Sequence, residues 1–115
     1  MEPKILLIGR RSEVVDIIAE ELTKYGRDII GASEQEKIEL LLHSREFDFV
    51  VMGAGLPDHQ RDYLTSFIQA IKPELQVFMI ERKGKDKPYK LVNFTNNKAL
   101  EFKIERLSKR KASAE

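Results

Sequence analysis

The sequence predicts an α/β fold, a doubly wound parallel sheet with helices on both faces. Short continuous apolar runs have the length of strands that are buried on both sides. Between these runs lie segments whose apolar residues recur at helical spacing, with glycine, proline or capping residues at their ends. Because strands and helices alternate, right-handed crossovers and a parallel sheet are expected.

The first strand and helix are marked at both ends. Residues 5–8 form a continuous apolar run closed by Gly9, the pattern of a central strand. Ser12 is a candidate N-cap, and apolar residues follow at helical spacing until Gly26, a common C-terminal stop. A second strand is predicted at residues 28–32.

The same alternation continues through the middle of the chain. Ser33 and Glu36 form a capping box for the second helix. Residues 49–52 are predicted as a third buried strand. The third helix follows Pro57 and ends before Pro73, which cannot continue it.

The last third of the chain is less regular. Residues 77–80 are a predicted fourth strand, but residues 81–88 carry no apolar stripe, so a loop is predicted there in place of a fourth helix. Residues 91–92 are predicted as a brief fifth strand, and residues 99–109 as the last helix. The apolar stripe expected to face the sheet is Leu100, Ile104 and Leu107.

Length and composition are those of one globular domain, with 115 residues, 42% hydrophobic and 34% charged. The chain has no cysteine, which suits a reducing compartment. Its start lacks a signal-peptide pattern and its apolar runs are strand-length, so we expect a cytoplasmic protein without a membrane partner. We predict one domain at residues 1–108, and a basic tail or the start of a linker at residues 109–115.

Charge is divided unevenly along the chain. Residues 1–82 carry 10 basic and 15 acidic side chains, whereas residues 83–115 carry 10 basic and 4 acidic. The basic loop and tail are candidates for binding an acidic partner or nucleic acid. The alternative is a solvated loop and a frayed helix end, because the charges are not regularly interleaved with aromatic stacking residues. The candidate partner-binding residues of the loop are Lys83, Lys85, Lys87, Tyr89 and Lys90.

Several local strings resemble the receiver domain of bacterial two-component response regulators. They are KILLI at residues 4–8, DFVVM at residues 48–52, LPD at residues 56–58 and the last helix around residues 100–107. The resemblance spans essentially the whole chain. It implies a flavodoxin-like, CheY-like sheet of five parallel strands in the order 2-1-3-4-5, with the fourth helix missing or reduced to a loop.

The resemblance also implies where the family's phosphorylation residues should stand, and this sequence lacks them. Gly9 and Arg10 replace the acidic pair that binds magnesium, and Gly53 replaces the phosphoacceptor aspartate. Glu81 replaces the hydroxyl residue after the fourth strand. Asn93 replaces the lysine after the fifth strand. The sequence therefore predicts a degenerate receiver, a pseudo-receiver.

The chemistry of phosphoryl transfer leads to the same expectation. It needs a carboxylate nucleophile and magnesium, and Gly53 supplies no nucleophile, while Arg10 and Arg11 would repel the metal. As substitute acceptors, Asp48 lies at the far end of its strand and Asp58 starts a helix. We expect no catalysis, no cofactor and no magnesium. An ion pair from Glu81 to either arginine is one way to fill the vacated site; the alternative is that the arginines point to solvent.

Other chemical motifs are absent or weak. Residues 53–55 form a two-glycine fragment without the third glycine of a dinucleotide loop, and a flexible loop explains them better. His43 and His59 lack the spacing of metal ligands. A small enzyme with an anionic ligand at the loops after Gly9 and Gly53 is a third hypothesis.

We therefore expect a phosphorylation-independent signalling module that binds another protein or a second copy of itself, with a nucleic-acid-associated regulatory domain as the alternative. Phe102 lies about 200° from Leu100 around the last helix and is the candidate anchor on its outer face. The alternatives are a tolerated surface phenylalanine, or a helix rotated so that Ala99 and Phe102 face inward.

Overall fold

The computed structural model describes residues 1–81 and 88–114. Its strands are β1 (Lys4–Ile8), β2 (Asp28–Ala32), β3 (Phe49–Met52) and β4 (Gln76–Met79). Its helices are α1 (Ser12–Lys24), α2 (Gln35–Ser44), α3 (Asp58–Ile71) and α4 (Pro88–Ala114). In the described residues the strands form a four-stranded parallel sheet in the order β2-β1-β3-β4. The predicted α/β class and parallel sheet are confirmed.

Helices cover both faces of the sheet because successive strand residues point in opposite directions. One face packs against α2 and α3 and includes Leu6, Ile8, Val50 and Met52. The other face packs against α1 and α4 and includes Ile5, Leu7, Phe49 and Val51. All eight side chains are buried. The two inner strands are thus sealed on both sides, as their unbroken apolar runs indicate.

The predicted fifth strand is wrong. Residues 91–92 lie inside α4, which begins at Pro88 instead of Ala99. Proline is favoured in the first turn of a helix, and Leu91, Thr95 and Ala99 recur at helical spacing on one buried face. A two-residue apolar run is too short to choose between strand and helix, and the helical pattern prevails. The sheet is therefore 2-1-3-4, and β4 forms its edge among the described residues.

The predicted loss of a helix after β4 concerns mainly residues 82–87, which lie outside the described residues. The domain boundary predicted after residue 108 falls within α4, which runs without a break to Ala114. Within the described ranges, no helix is long and apolar enough to cross a membrane.

The predicted orientation of the last helix is also wrong. Phe102 is half-buried and packs in the core, with its ring 5.9 Å from that of Phe49, measured between ring centroids. Leu100, Ile104 and Leu107 are instead exposed. The rotated alternative is the one observed. α4 carries apolar residues on two sides, and the side that includes Leu91, Ala99 and Phe102 packs on the sheet.

An ion-pair network holds α4 to the amino edge of the sheet. Arg27 and Lys103 both donate to the Glu2 carboxylate, at 2.7 and 2.6 Å. Burial alone would raise the pKa of Glu2, but these hydrogen bonds and positive charges lower it below its ordinary value. Arg27 Nε also donates to Asn96 Oδ1 at 2.6 Å. The start of the chain, α4 and the segment before β2 therefore meet at one point.

We predict that Phe102→Ala lowers the free energy of unfolding by about 2–3 kcal/mol, below the ~3–5 kcal/mol of a fully buried phenylalanine because Phe102 is half-buried. Urea unfolding followed by circular dichroism measures this loss. Leu100→Ala, on the outer side of the same helix, is the matched control and should change stability by less than about 0.5 kcal/mol. Equal effects of the two variants would contradict the observed rotation of α4.

Candidate functional site

Three strand ends meet at the carboxyl edge of the sheet. The ladder continues one residue past the strands, since Gly9 N donates to Ala32 O, Gly53 N to Ile8 O and Ile80 N to Met52 O. These bonds are 3.3, 2.9 and 3.2 Å long. They align Gly9, Gly53 and Ile80 at the point where the strand order reverses, the usual ligand position in an open α/β sheet.

A cleft of about 360 Å³ opens at this edge. Four of the five positions predicted for the degenerate site line it, namely Gly9, Arg10, Gly53 and Glu81. The parallel arrangement brings them together as expected. Asn93 does not join them, because it lies exposed on α4 and not at the end of a strand. The predicted match of Asn93 to the lysine that follows the family's fifth strand is therefore wrong, because this chain has a helix at that position.

Neighbouring side chains close the two glycine positions that matter most for phosphoryl chemistry. A Cβ atom on Gly9 would lie 2.5 Å from Val15 Cγ2, which is closer than real Cβ contacts come. A Cβ on Gly53 would lie 3.3 Å from Leu91 Cδ2. Val15 of α1 thus occupies the space of a side chain at Gly9, whereas at Gly53 the end of the Leu91 side chain would have to move by a few tenths of an ångström.

The two arginines at the cleft remain exposed. Arg10 and Arg11 line the cleft, and Arg10 packs beside Gly55. Among the residues whose side chains the structure describes, neither arginine forms an ion pair. The ion pair hypothesised between Glu81 and Arg10 or Arg11 is therefore not formed, and the alternative of solvent-facing arginines holds.

Arg61 is a buried cation that sequence reasoning missed. From α3, its Nη2 donates to Gly53 O at 2.9 Å and to Ile80 O at 2.8 Å. It thereby joins the carboxyl ends of β3 and β4 at two residues that line the cleft. Its spacing could have indicated that it is buried, because Arg61 lies three residues before Leu64 and seven before Ile68, on the buried side of α3.

The predicted partner-binding residues have mixed outcomes. Lys83, Lys85 and Lys87 lie outside the described residues, as does the side chain of Tyr89. Lys90 is half-buried and lines the cleft. Phe102 is part of the core, so it is not an outward anchor.

The proposed substitute acceptors are placed as expected. Asp48 lies at the amino edge, where its carboxylate accepts the Lys4 backbone N–H at 2.7 Å. Asp58 is the first residue of α3. In the described part of the chain, no three histidine or acidic side chains gather as metal ligands.

A scan against models of known protein families and a search of curated proteins both found no match. The receiver resemblance therefore stays an interpretation of the residues quoted for it.

We predict that Gly9→Ala destabilises the fold by about 1–3 kcal/mol, because its methyl group would overlap Val15 unless α1 shifts. Thermal unfolding checks this. Gly55→Ala is the matched control, since its Cβ would make an ordinary 3.5 Å contact with Arg10 Cβ. A Gly9→Ala variant as stable as the control would show that the first loop is not closed by α1.

We predict that Arg61→Met costs about 1.5–3 kcal/mol of stability, because the Gly53 and Ile80 carbonyls lose a charged donor. Amide hydrogen exchange should also accelerate at the ends of β3 and β4. Arg10→Met, a substitution of an exposed arginine at the same cleft, should leave both measurements nearly unchanged. Equal behaviour of the two variants would remove Arg61 from this role.

Proposed function

We propose that the chain is a cytoplasmic pseudo-receiver, a signalling module that binds protein partners without being phosphorylated. The observation that carries the proposal is the packing of Val15 and Leu91 beside Gly9 and Gly53, where a side chain would meet them. A receiver that switches by phosphorylation needs carboxylates at those positions. In this chain Val15 and Leu91 pack beside glycines at those positions, which supports a module that works without a phosphoryl group.

Binding of nucleic acid is supported less well. Two cations of the basic C-terminal third, residues 83–115, already have acidic partners, since Lys103 pairs with Glu2 and Arg106 lies 3.4 Å from Asp48. A third, Lys98, pairs with Glu101. These charges are partly neutralised within the chain, which weakens the electrostatic attraction that they could exert on the phosphates of a nucleic acid.

The experiment is incubation of the full chain with magnesium and acetyl phosphate, followed by intact mass spectrometry. We predict no 80 Da adduct at any aspartate, because Gly53 supplies no carboxylate at the end of β3 and no metal ligands gather among the described residues. A receiver domain with its acidic residues intact is the positive control. An acid-stable, hydroxylamine-sensitive adduct on Asp48 or Asp58 would overturn the proposal.

A further inference from the structure

The cleft at the carboxyl edge of the sheet combines an apolar wall with a basic rim. The apolar wall consists of buried or half-buried side chains from α1, from the residue after β4 and from the first turn of α4, namely Val14, Val15, Ile18, Ile80 and Leu91. The basic rim consists of Arg10 and Arg11, which are exposed on the loop between β1 and α1. A concave apolar surface with a few polar groups beside it is the usual construction of a small-ligand site.

The charges at the cleft favour an anion. Among the described residues that line it, Arg10, Arg11 and Lys90 are basic. Glu81 is the one acidic residue in that group, so three positive charges and one negative charge leave a net +2. Within the described side chains, neither arginine forms an ion pair. Because charges of one sign beside apolar walls concentrate their electric field, the cleft attracts anions from solution.

We propose that this cleft reversibly binds a small organic anion, whose carboxylate or phosphate group lies at Arg10 and Arg11 and whose apolar body lies against the apolar wall. The inference goes beyond the proposed function, which requires no ligand. It involves no covalent step, so it is tested separately from phosphorylation.

The size of the cleft and the chemistry of its rim define the class of ligand. Its volume of about 360 Å³ is near the lower end of the range for small-ligand pockets, ~300–1,000 Å³, so a small molecule fits better than a dinucleotide. The planar guanidinium of arginine binds a carboxylate or a phosphate through two parallel hydrogen bonds. The sequence lacks the glycine-rich loop that holds a polyphosphate, which favours a ligand with a single anionic group.

The loops around the cleft also hold the rim in place. The stem of Arg10 packs beside Gly55, because a Cβ atom on this glycine would lie 3.5 Å from Arg10 Cβ. The loop after β1 therefore contacts the loop after β3. Backbone hydrogen bonds from Gly9 N to Ala32 O and from Gly53 N to Ile8 O fix the start of each loop against the sheet. The binding site thus needs little ordering when a ligand arrives.

Both parts of the ligand are needed for affinity. An anion held only by exposed arginines is weakly bound, because water and salt screen the attraction. An apolar body adds affinity because its burial against the wall removes apolar surface from water. Phenyl phosphate should therefore bind more tightly than inorganic phosphate, which has no apolar body, and more tightly than phenol, which has no charge at neutral pH.

Titration of the ¹⁵N-labelled full chain, followed by two-dimensional amide NMR spectra, tests the proposal. With phenyl phosphate or benzoate we expect saturable shifts at the amides of Gly9, Gly53 and Gly55, with a Kd in the low-millimolar range for probes of this size. The amides at the amino edge of the sheet, such as that of Asp48, should not shift. The tighter of the two probes identifies phosphate or carboxylate as the preferred anionic group.

A pair of double variants tests the role of the rim. Arg10→Gln with Arg11→Gln should raise the Kd of phenyl phosphate roughly 5-fold or more, because two charged hydrogen-bond donors are lost. Lys37→Gln with Arg45→Gln is the matched control. It removes the same charge from two exposed residues outside the cleft, so its Kd should equal that of the parent. Both double variants should melt like the parent, since all four side chains are exposed.

Four results would overturn the proposal. They are the absence of saturable shifts at the three glycines with both anionic probes, equal affinity for inorganic phosphate, equal affinity for phenol, and equal weakening by the two double variants. The second would show an anion patch without an apolar subsite, and the third an apolar groove without an anion site. Reversible binding adds no mass in the acyl phosphate experiment, so this inference and the proposed function fail independently.

Discussion

Packing of α4 against the α1 face of the sheet is the contact on which the rest of the structure depends. Phe49 and Val51 lie on that face, and without α4 only α1 would shield them from water. Burial of apolar surface is the main stabilising term in a domain of this size. Once Leu91 and Phe102 are committed to the sheet, the first turn of α4 must lie over Gly53 and its opposite side must face solvent. The packing of Leu91 beside Gly53 and the exposure of the outer side of α4 thus have one common cause.

Much of the fold follows from local pattern, and so does part of the candidate site. Apolar runs bounded by glycine mark β1 and β3 unambiguously, and parallel strands necessarily bring Gly9 and Gly53 to one edge. The last helix could not be oriented in the same way. It has one apolar stripe through Leu100 and another through Phe102, and periodicity does not reveal which is buried when both repeat correctly. The buried side of α4 is determined by packing of Phe102 against Phe49. This is a contact between distant residues that local periodicity does not reveal.

Arg61 illustrates a different limit. Arginine is rarely buried, so the residue type of Arg61 does not predict that its side chain lies on the buried side of α3. Arg61 is buried because it donates hydrogen bonds to the Gly53 and Ile80 carbonyls. These groups lie at the ends of β3 and β4, where the sheet supplies no further donors. Side chains that satisfy such backbone groups are invisible until the topology places the strand ends side by side.

The contact between Glu2 and Lys103 has a consequence for how the chain folds. It joins residues 101 positions apart, and Arg27 adds a second bond to the same carboxylate. Contacts between distant residues require the closure of long loops, which slows folding relative to proteins with local contacts. Attachment of α4 by this network is therefore expected late, after β1 and β3 have paired. Until then, only α1 covers this face of the sheet, and the apolar residues that α4 will bury, such as Phe49, remain open to other molecules.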